Sequence, residues 1–424
     1  MPTNILLLQG PVGPFFERFS TELSALGNRV YKVNFNAGDR YFYQRAGAVS
    51  YRGGIKEWGR FLEDLISRLS IERIYVFGDC RIYHEIARDV AKQSRVRFFV
   101  FEEGYLRPDY ITLEENGVNG HSEIAFPDNP AVVSLRPEAM SKYHYSRSFL
   151  RSGWYAIQYY IAASWGEHEF PFYRHHRPLN VLNEGSKWLI SGWRKLKYLR
   201  SSRRFEQRVS GELAGRYFLV PLQVHADMQV LKHSRFRSVE EFISAVCESF
   251  SRSAPDDVDL VFKHHPLDRG YRHYGEYIHS LENRYGLTGR IHYVFDSHLP
   301  TLLKHALGTV TINSTVGLSS LHHGVPVKVM GDAIYDQQGL AFSGALDQFW
   351  RDPGKVDKRV YRQFRKYLLD TNQANGNFYE RSVEAPNATG VLWSPYLSQQ
   401  HCARFLPGPE HSSRGPRLVK DSVA

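Results

Sequence analysis

The sequence predicts an α/β protein with two doubly wound, Rossmann-like domains, a cleft between them and a helical, basic insertion. Short apolar runs alternate with helical patterns over about the first 125 residues, and the alternation returns near residue 213. The stretch between them breaks this rhythm and is rich in Tyr, Trp, Ser and Arg. With 424 residues, the chain is also longer than one ordinary domain, so two domains are expected.

The first predicted domain covers residues 1–128. Its apolar runs end at polar or Gly-rich turns, and Gly27 follows the first helical pattern, where glycine commonly ends a helix. Strands separated by helices in this way form parallel sheets. The predicted strands are 5–8, 30–35, 73–77 and 96–101, and the predicted helices are 15–26, 55–69 and 82–93.

The second predicted domain covers residues 213–353 and repeats this pattern. A helical, basic segment at 129–212 precedes it, a helix and return segment at 354–404 follows, and a tail at 405–424 is predicted to be disordered. The predicted strands are 217–222, 258–263, 291–294, 309–312 and 327–329. The predicted helices are 239–250, 274–285, 299–305, 316–323 and 360–369.

The bulk composition indicates which kinds of partner and which cellular compartment to expect. A net charge of +10 and a pI of about 9.3 favour an acidic partner, such as a phosphorylated ligand or an anionic membrane. Nucleic acid is disfavoured because no recognised binding motif occurs. The separated cysteines Cys80, Cys247 and Cys402 fit a reducing cytoplasm, and no Cys/His spacing is that of a zinc site. Because no membrane span or signal peptide is recognised, we expect a cytoplasmic protein.

A pair of carboxylates marks the end of the last strand predicted in the first domain. Glu102 and Glu103 follow the apolar run 96–101, and Gly104 allows a sharp turn or close approach of a ligand. Neighbouring side chains in extended chain point in opposite directions, so one carboxylate can face the cleft and move a proton. Arg107 lies close enough in sequence to help bind an anionic sugar. The competing interpretation is a solvated loop after a strand.

Two polar motifs at predicted strand ends of the second domain suit a phosphate. A cation and imidazoles can bind phosphate oxygens, and hydroxyls with backbone N–H groups before a helix suit an anion. Each motif also has a simpler interpretation, as a surface turn and as ordinary helix capping. The motifs are Lys263, His264, His265 and Pro266, and Asn313, Ser314 and Thr315.

Two loops remain open to more than one interpretation. Asp227 follows the first strand of the second domain and suits a nucleophile, an acid/base group or a substrate contact, but equally a loop residue with local hydrogen bonds. The loop 9–14 contains Gly10 and Gly13 but has neither a Walker A nor a GxGxxG sequence. It either admits a ligand or is a bare strand-to-helix turn.

A basic helix is predicted at 187–208. It contains eight Lys or Arg residues and a single acidic residue, Glu206, interleaved with apolar residues that include Trp188 and Trp193. Such a helix suits an interface with anionic lipid headgroups. The alternative is a solvated helical face with buried Trp anchors.

These motifs together resemble the capsule polysaccharide biosynthesis/export proteins of the KpsS/LipB type. The resemblance covers roughly residues 4–340, and its most specific part is the stretch 77–109. The motifs that carry it are LQGPVGPFF at 8–16, NFN at 34–36 with GD at 38–39, FGDCR at 77–81, FEEGYLRPD at 101–109, KHHP at 263–266 and NSTVG at 313–317.

The resemblance implies a GT-B fold and a β-Kdo glycosyltransferase. Such an enzyme takes Kdo from CMP-Kdo, retains the β configuration and places the first Kdo on lysophosphatidylglycerol, which begins the linker of a Gram-negative capsular polysaccharide. It implies a peripheral protein on the inner face of the inner membrane, close to other capsule biosynthesis/export proteins. CMP-Kdo is a substrate here, and neither a metal nor another cofactor is implied.

The motifs also resemble those of bacterial CMP-sialic acid transferases, which assigns roles to particular residues. Glu103 is implied as the proton-transfer group, although the acidic pair here is Glu-Glu rather than Asp-Asp. Lys263 and Arg107 are candidates to neutralise the donor, and Asp227 is a candidate nucleophile if the mechanism does not follow a front-face route. The residues implied to hold the CMP phosphate are His265, Ser314 and Thr315. The first-domain motifs supply the candidate acceptor-binding residues Gly10, Gly13, Asn36, Asp79 and Arg81.

Other functions remain open at this level. A non-catalytic capsule assembly or export factor would use the cleft only to bind glycolipid. A GT-B transferase with another nucleotide-activated donor, or a phosphotransferase of the teichoic-acid type, would use the same fold.

Overall fold

The computed structural model describes residues 2–127, 143–174 and 181–401, which form two sheets flanked by helices. The strands are β1 Asn4–Leu7, β2 Arg29–Asn34, β3 Ala48–Ser50, β4 Arg73–Phe77, β5 Arg97–Glu103, β6 Tyr110–Glu115, β7 Tyr217–Pro221, β8 Asp259–Lys263, β9 Ile291–Val294, β10 Gly308–Thr311, β11 Val327–Val329 and β12 Gln373–Asn375. The helices are α1 Phe15–Ala25, α2 Ala37–Tyr41, α3 Ile55–Leu69, α4 Ile82–Gln93, α5 Ser148–Trp165, α6 Val181–Ser210, α7 Met228–Lys232, α8 Val239–Ser253, α9 Gly275–Tyr285, α10 Leu299–His305, α11 Val316–His322, α12 Leu346–Phe349, α13 Lys358–Thr371 and α14 Pro395–His401.

The first sheet has the strand order β12-β6-β5-β4-β1-β2-β3. Its strands from β3 to β5 pair in parallel, whereas β6 and β12 pair antiparallel at one edge. Successive strands are added on one side of β1 as far as β3 and then on its other side from β4 onward. This reversal of strand order between β1 and β4 makes the sheet doubly wound. One buried cluster contains Trp58 and Phe98, and another contains Phe15 and Phe101. Because Phe98 and Phe101 both belong to β5, the clusters cover opposite faces of the sheet.

The second sheet has the strand order β11-β10-β7-β8-β9, and all its neighbouring strands are parallel. The order in which strands are added reverses between β7 and β10, so this sheet is doubly wound in the same way. Its largest buried cluster includes Phe218, Phe250 and Trp350. Two sheets of this kind in one chain give the GT-B-like α/β architecture that the sequence predicts.

Most of the predicted elements are confirmed. The elements β4, α3, α4, β9, α10 and β11 have the predicted bounds residue for residue. The sequence pattern misses the strands β3, β6 and β12 and the short helices α2, α7, α12 and α14. Strands of three residues contain too few side chains to show a period, and β12 is buried through its pairing with β6, which lies far away in the sequence.

The position of the carboxylate pair corrects one expectation. The sequence places Glu102 and Glu103 after the strand, but β5 extends through both residues. Glu102 pairs with Thr112 and Glu103 with Ile111 on β6. The ladder therefore fixes both carboxylates, and the strand pleat places them on opposite faces of the sheet.

The two halves of the chain share a buried contact. Tyr105 and Leu106, which follow β5, belong to the same cluster as Leu321 and as Phe364 of α13. Helix α13 then leads to β12 of the first sheet. The domain boundaries at 128, 212 and 353 stay predictions. Parts of the predicted insertion (129–142 and 175–180) and the whole predicted tail (405–424) lie outside the described residues.

Candidate active site at the facing strand ends

The first half of the site lies at the carboxyl ends of β5 and β4. Oε1 of Glu102 accepts a hydrogen bond from the main-chain N–H of Glu103 over 2.9 Å. Its other oxygen lies beside Gly78, which has a φ of +68° and ends β4. A side chain on Gly78 would be strained at this φ, and the left-handed turn brings the β4 end close to Glu102.

Burial raises the pKa of Glu102 to about 7, and the carboxylates of Glu103 and Asp79 act in the same direction. The Glu103 side chain instead meets Tyr379, whose hydroxyl donates to it. Burial and the Glu103 carboxylate raise the pKa of Tyr379 well above its usual value. The two carboxylates therefore have different surroundings: Glu102 titrates near neutrality, and Glu103 is oriented by a phenol from the C-terminal return segment.

Arg81 connects this edge to the loop after β1. Its Nη1 donates to Oε1 of Gln9 over 2.9 Å, which joins the ends of β4 and β1 at the point where the sheet reverses. Gln9 Nε2 in turn donates to the hydroxyls of Tyr159 and Tyr173, over 3.0 Å each. Asn36 caps α2 and donates to the Tyr159 hydroxyl over 2.7 Å. Arg81 and Asn36 therefore belong to one polar network.

Gly10 and Gly13 allow close packing by the protein itself. A Cβ at Gly10 would lie 2.7 Å from Cγ of Phe16, and a Cβ at Gly13 would lie 2.8 Å from Cδ2 of Tyr155. Gly13 also has a φ of +113°, which a larger residue would adopt only with strain. Close packing within the protein therefore explains both glycines. That Gly10 and Gly13 contact an acceptor stays a prediction.

The second half of the site lies at the end of β8. The main-chain N–H of Leu267 donates to Nδ1 of His265 over 3.2 Å, which leaves the ring proton on Nε2. Burial and the charges of Lys263 and Arg107 lower the pKa of His265 to about 4. His265 is therefore a neutral donor through Nε2–H at physiological pH. Pro266 follows at the start of the next short turn and is exposed.

Lys263 and His264 are more buried than His265. The Nζ of Lys263 approaches the carbonyl of Phe295 at 3.5 Å, and burial lowers the pKa of this lysine. His264 is 1% exposed, its Nδ1 meets the Tyr293 hydroxyl at 2.7 Å, and its ring lies among aromatic side chains. Burial lowers the pKa of His264 to about 3. These contacts place His264 behind the strand end, and its contact with a donor stays a prediction.

Asn313 fastens the loop after β7 to the end of β10. Its Nδ2 donates to the carbonyls of Gln229 and His233 over 2.8 and 3.1 Å. Its Oδ1 accepts a hydrogen bond from Gln223 Nε2 over 3.0 Å. Asp227 caps α7 through Oδ1 and accepts from Gln223 through Oδ2. Asp227 thus has the local contacts of the simpler interpretation, whereas the partners of Asn313 lie 80–90 residues away in the sequence. A nucleophilic Asp227 stays a prediction.

Ser314 and Thr315 lie between β10 and α11. Oγ of Ser314 accepts a hydrogen bond from the N–H of Val316 over 3.2 Å, and Thr315 caps α11 without a side-chain cap bond. Gly317 is required for close packing here, because a Cβ there would lie 2.2 Å from the Tyr335 hydroxyl. The two hydroxyls lie at the point where the second sheet reverses, which is where ligands bind in such sheets.

The two halves of the site meet through Arg107. Arg107 follows β5 of the first sheet, donates from Nε to the carbonyl of Gly104 over 3.2 Å and is exposed. Its charge is one of the causes that lower the pKa of His265, which follows β8 of the second sheet. The buried contact of Tyr105 and Leu106, which follow Glu103, with Leu318 and Leu321 of α11 brings the end of β5 close to the end of β10.

The structure adds His225, which the sequence motifs do not single out, to the polar groups of the second half of the site. Nδ1 of His225 lies 2.5 Å from Oδ1 of Asp268, which is fully buried and also accepts a hydrogen bond from the Tyr274 hydroxyl. A buried carboxylate of this kind fixes the ring orientation of a histidine. The available signal was the alternation of polar residues at 223–229, but the partner Asp268 lies too far along the chain to be recognised.

Asp79 belongs to a buried cluster rather than to the open edge. Its side chain is 1% exposed, and Oδ2 lies 2.9 Å from Nδ1 of His121 and 3.2 Å from the N–H of Val118. Cys80 lies beside it and meets His233 of the second half of the chain at 3.3 Å. Contact between Asp79 and an acceptor stays a prediction.

Helices α5 and α6 carry an exposed apolar surface. On α5, Leu150, Trp154 and Trp165 are 73, 59 and 81% exposed, and their spacing places them on one face with Ile157 and Ile161. On α6, Trp193 and Leu196 are 61 and 74% exposed. The side chain of Trp188 lies outside the described residues. Among the helices that the structure describes, none is long and apolar enough to cross a membrane.

The fold and the facing strand ends define a GT-B-like, two-domain α/β protein. The family model described as "Capsule polysaccharide biosynthesis protein" matches residues 72–379, and the chain belongs to this family. The chain is 42% identical over 384 residues to the capsule polysaccharide export protein KpsS of Escherichia coli. This match covers 88% of the chain and 96% of KpsS.

The chain is also similar to a second capsule protein and to a solved structure. The capsule polysaccharide modification protein LipB of Neisseria meningitidis serogroup B is 41% identical over 393 residues, which cover 91% of this chain and 93% of LipB. Among solved structures, KpsC of Thermosulfurimonas dismutans, described as a beta Kdo 2,7 transferase, matches with a TM-score of 0.42 and 14% identity. That match covers 87% of this chain and 92% of KpsC.

Proposed function

We propose that this protein is a retaining β-Kdo glycosyltransferase. It transfers Kdo from CMP-Kdo to lysophosphatidylglycerol and so starts the glycolipid linker of a Gram-negative capsular polysaccharide. The family membership supports a role in capsule biosynthesis, and the Kdo chemistry rests on the motifs that the chain shares with the KpsS/LipB type. The protein acts at the inner face of the inner membrane, together with other capsule biosynthesis/export proteins.

The observation that carries the proposal is the buried contact of Tyr105 and Leu106 with Leu318 and Leu321 across the two halves of the site. The first pair directly follows the Glu102/Glu103 carboxylates, and the second pair belongs to the helix that follows Ser314 and Thr315. CMP-Kdo contains both a phosphate and a sugar carboxylate, so a transferase needs cations to bind it and a carboxylate to accept a proton. The candidate cations are Lys263 and Arg107.

The proton acceptor is one of the two paired carboxylates. Glu103 is the residue implied by the motif resemblance, and Tyr379 orients it. The pKa of Glu102 is about 7, close to the pH at which a general base works best. We assign the proton transfer to Glu103, and Glu102 adds a negative charge beside it above about pH 7.

The phosphate of the departing CMP is held by neutral and charged donors together. His265 offers Nε2–H, Ser314 and Thr315 offer hydroxyls, and Lys263 supplies positive charge. Stabilising the departing phosphate is the main electrostatic requirement of the reaction. Either Asp227 attacks the sugar as a nucleophile or the acceptor enters on the front face, and both routes use the same phosphate contacts.

The acceptor reaches the site from a membrane surface. The exposed apolar faces of α5 and α6 and the basic residues of α6 match the two components of an anionic bilayer, its acyl region and its headgroups. Tyr155 and Tyr159 of α5 contact Gly13 and Gly38 of the first domain, so the same helix touches both the proposed membrane and the acceptor side of the cleft.

Mass spectrometry of the reaction product tests this function. Purified protein, CMP-Kdo and lysophosphatidylglycerol should yield a lipid that is heavier by one Kdo residue, together with free CMP. If neither product forms, but the protein still binds the lipid, the non-catalytic assembly or export factor is supported instead. Thermal-shift competition among CMP, CDP and UDP tests the donor, and stronger stabilisation by CDP or UDP would indicate another transferase or a phosphotransferase.

A further inference from the structure

Four side chains with metal-binding atoms meet at the boundary between the two halves of the protein. One ligand atom from each of Asp79, Cys80, His121 and His233 lies within 4.8 Å of the others. Asp79 and Cys80 follow β4, His121 follows β6, and His233 follows α7 on the far side of the boundary. Asp79, Cys80 and His233 are buried, and His121 is partly buried. This cluster borders the Glu102/Glu103 edge, because the Asp79 carboxylate contributes to the raised pKa of Glu102.

The backbone next to the two imidazole rings of the cluster lacks side chains that would collide with them. A Cβ on Gly120 would lie 2.3 Å from Nδ1 of His233, and a Cβ on Gly117 would lie 2.5 Å from Cβ of His121. The two imidazole rings are 4.4 Å apart and nearly perpendicular. The two glycines therefore let the imidazoles converge with the thiol and carboxylate.

The donor set fits zinc. Zn²⁺ binds Cys, His and Asp side chains in a tetrahedron with bonds of about 2.0–2.3 Å, which places ligand atoms roughly 3.3–3.8 Å apart. The ligand atoms lie within 4.8 Å of one another, so the farthest pair must move closer by at most about 1.0–1.5 Å to bind one zinc ion. A thiolate and two imidazoles also select zinc over Mg²⁺ or Ca²⁺, which prefer oxygen ligands.

We propose that Asp79, Cys80, His121 and His233 bind one Zn²⁺ ion that fastens the two domains together. On binding, Cys80 releases its proton to solvent and its thiolate joins the carboxylate and the two neutral imidazoles. The Asn313 amide, which donates to the His233 carbonyl, links the site to the Asn-Ser-Thr motif. The ion has a structural role, so this inference does not depend on the proposed sugar donor or acceptor.

Metal analysis of the full-length protein tests the proposal. The protein is purified through a tag without histidine after expression in zinc-supplemented medium. Inductively coupled plasma mass spectrometry should find about one zinc per chain. Cys80→Ser and His233→Gln should each lower this content at least fivefold. Cys247→Ser is the matched control, because Cys247 is a buried free cysteine of the second domain that lies outside the cluster.

Two measurements on the wild-type chain keep the test independent of how the variants fold. Removal of zinc with dipicolinate should lower the melting temperature, and Zn²⁺ but not Mg²⁺ should restore it. Co²⁺ in place of zinc should give a thiolate-to-cobalt absorption band that Cys247→Ser retains. Wild-type protein with less than a tenth of one zinc and no thermal response to Zn²⁺ would overturn the proposal. Equal zinc content in wild type, Cys80→Ser and His233→Gln would overturn it as well.

Discussion

The main-chain N–H of Glu103 donates a 2.9 Å hydrogen bond to Oε1 of Glu102, so the first carboxylate of the pair is held by the backbone of the second. The second carboxylate lies on the opposite face of β5, where it accepts a hydrogen bond from Tyr379. One strand thereby presents two acids with different surroundings. This difference allows their roles to be separated by mutation.

Glu103→Gln should nearly abolish sugar transfer and leave the fold intact. Loss of a general acid/base group typically lowers the rate ~10²–10⁴-fold. Transfer to the lipid acceptor is measured by CMP release, and thermal melting of the variant provides the control. A purified variant that keeps more than half of the wild-type rate would exclude Glu103 as the proton-transfer group.

The pH dependence of kcat/KM should reflect the ionisation of Glu102. Its pKa of about 7 means that Glu102 is protonated below this pH and carries a negative charge above it. That charge lies beside the site of proton transfer and favours the arrival of a proton there, so kcat/KM should rise as the pH increases through about 7. In Glu102→Gln the rise near pH 7 should disappear. An unchanged inflection in this variant would assign it to another group.

His265→Ala should weaken CMP binding modestly. Because His265 has a pKa of about 4, it donates a neutral hydrogen bond at pH 7. Such a bond contributes ~0.5–1.5 kcal/mol, so the affinity should fall about 2–12-fold, and equally at pH 6.5 and pH 8. Calorimetry with CMP measures this change, and His279→Ala on the exposed face of α9 is the control. Unchanged affinity would place the phosphate elsewhere.

Transfer should not require added Mg²⁺ or Mn²⁺. The proposed phosphate contacts are the side chains of Lys263, His265 and Ser314, which can neutralise and bind a phosphate without a cation. A brief exposure to EDTA removes loosely bound divalent ions, so the initial rate should stay the same. Loss of activity within this exposure, with recovery on addition of Mg²⁺ or Mn²⁺, would show that the donor needs a metal.

Binding to anionic vesicles should depend on both components of the α5/α6 surface. Lys195, Lys197 and Arg200 are exposed, whereas Arg194 donates to the carbonyl of Arg269 and is better left in place. Each cation near an anionic surface contributes ~1 kcal/mol, so changing the three exposed residues to Gln should reduce co-sedimentation with phosphatidylglycerol vesicles strongly. Added salt should have the same effect.

The apolar component is tested separately on α5. Trp154→Ser with Trp165→Ser should weaken vesicle binding at all salt concentrations, because it removes apolar contact and not charge. A matched triple variant on α3 and α4, with Lys56, Arg60 and Lys92 changed to Gln, removes the same charge from another surface. If this variant loses as much binding as the α6 variant, overall charge rather than the α5/α6 surface directs the protein to the membrane.

The alternation of apolar runs with helical patterns was sufficient to predict most strands and helices, because burial of one helix face or a whole parallel strand leaves a periodic record in the sequence. It did not extend to β6, which pairs antiparallel with the preceding strand β5, or to β12, whose partner β6 lies far along the chain. The same limit applies to the site. The motifs around Glu103, His265 and Ser314 are local runs, so the sequence could propose them.

The sequence by itself therefore determined the α/β class, the two doubly wound sheets and the local motifs at their strand ends. Only the tertiary structure decided which carboxylate of the Glu pair faces Tyr379, that His265 is neutral, and that Asp79, Cys80, His121 and His233 converge. The physical reason is that local sequence patterns record local burial and backbone geometry. The pKa of a group and the meeting of ligand atoms depend instead on neighbours that come from distant segments, and the packing of the two domains brings those segments together.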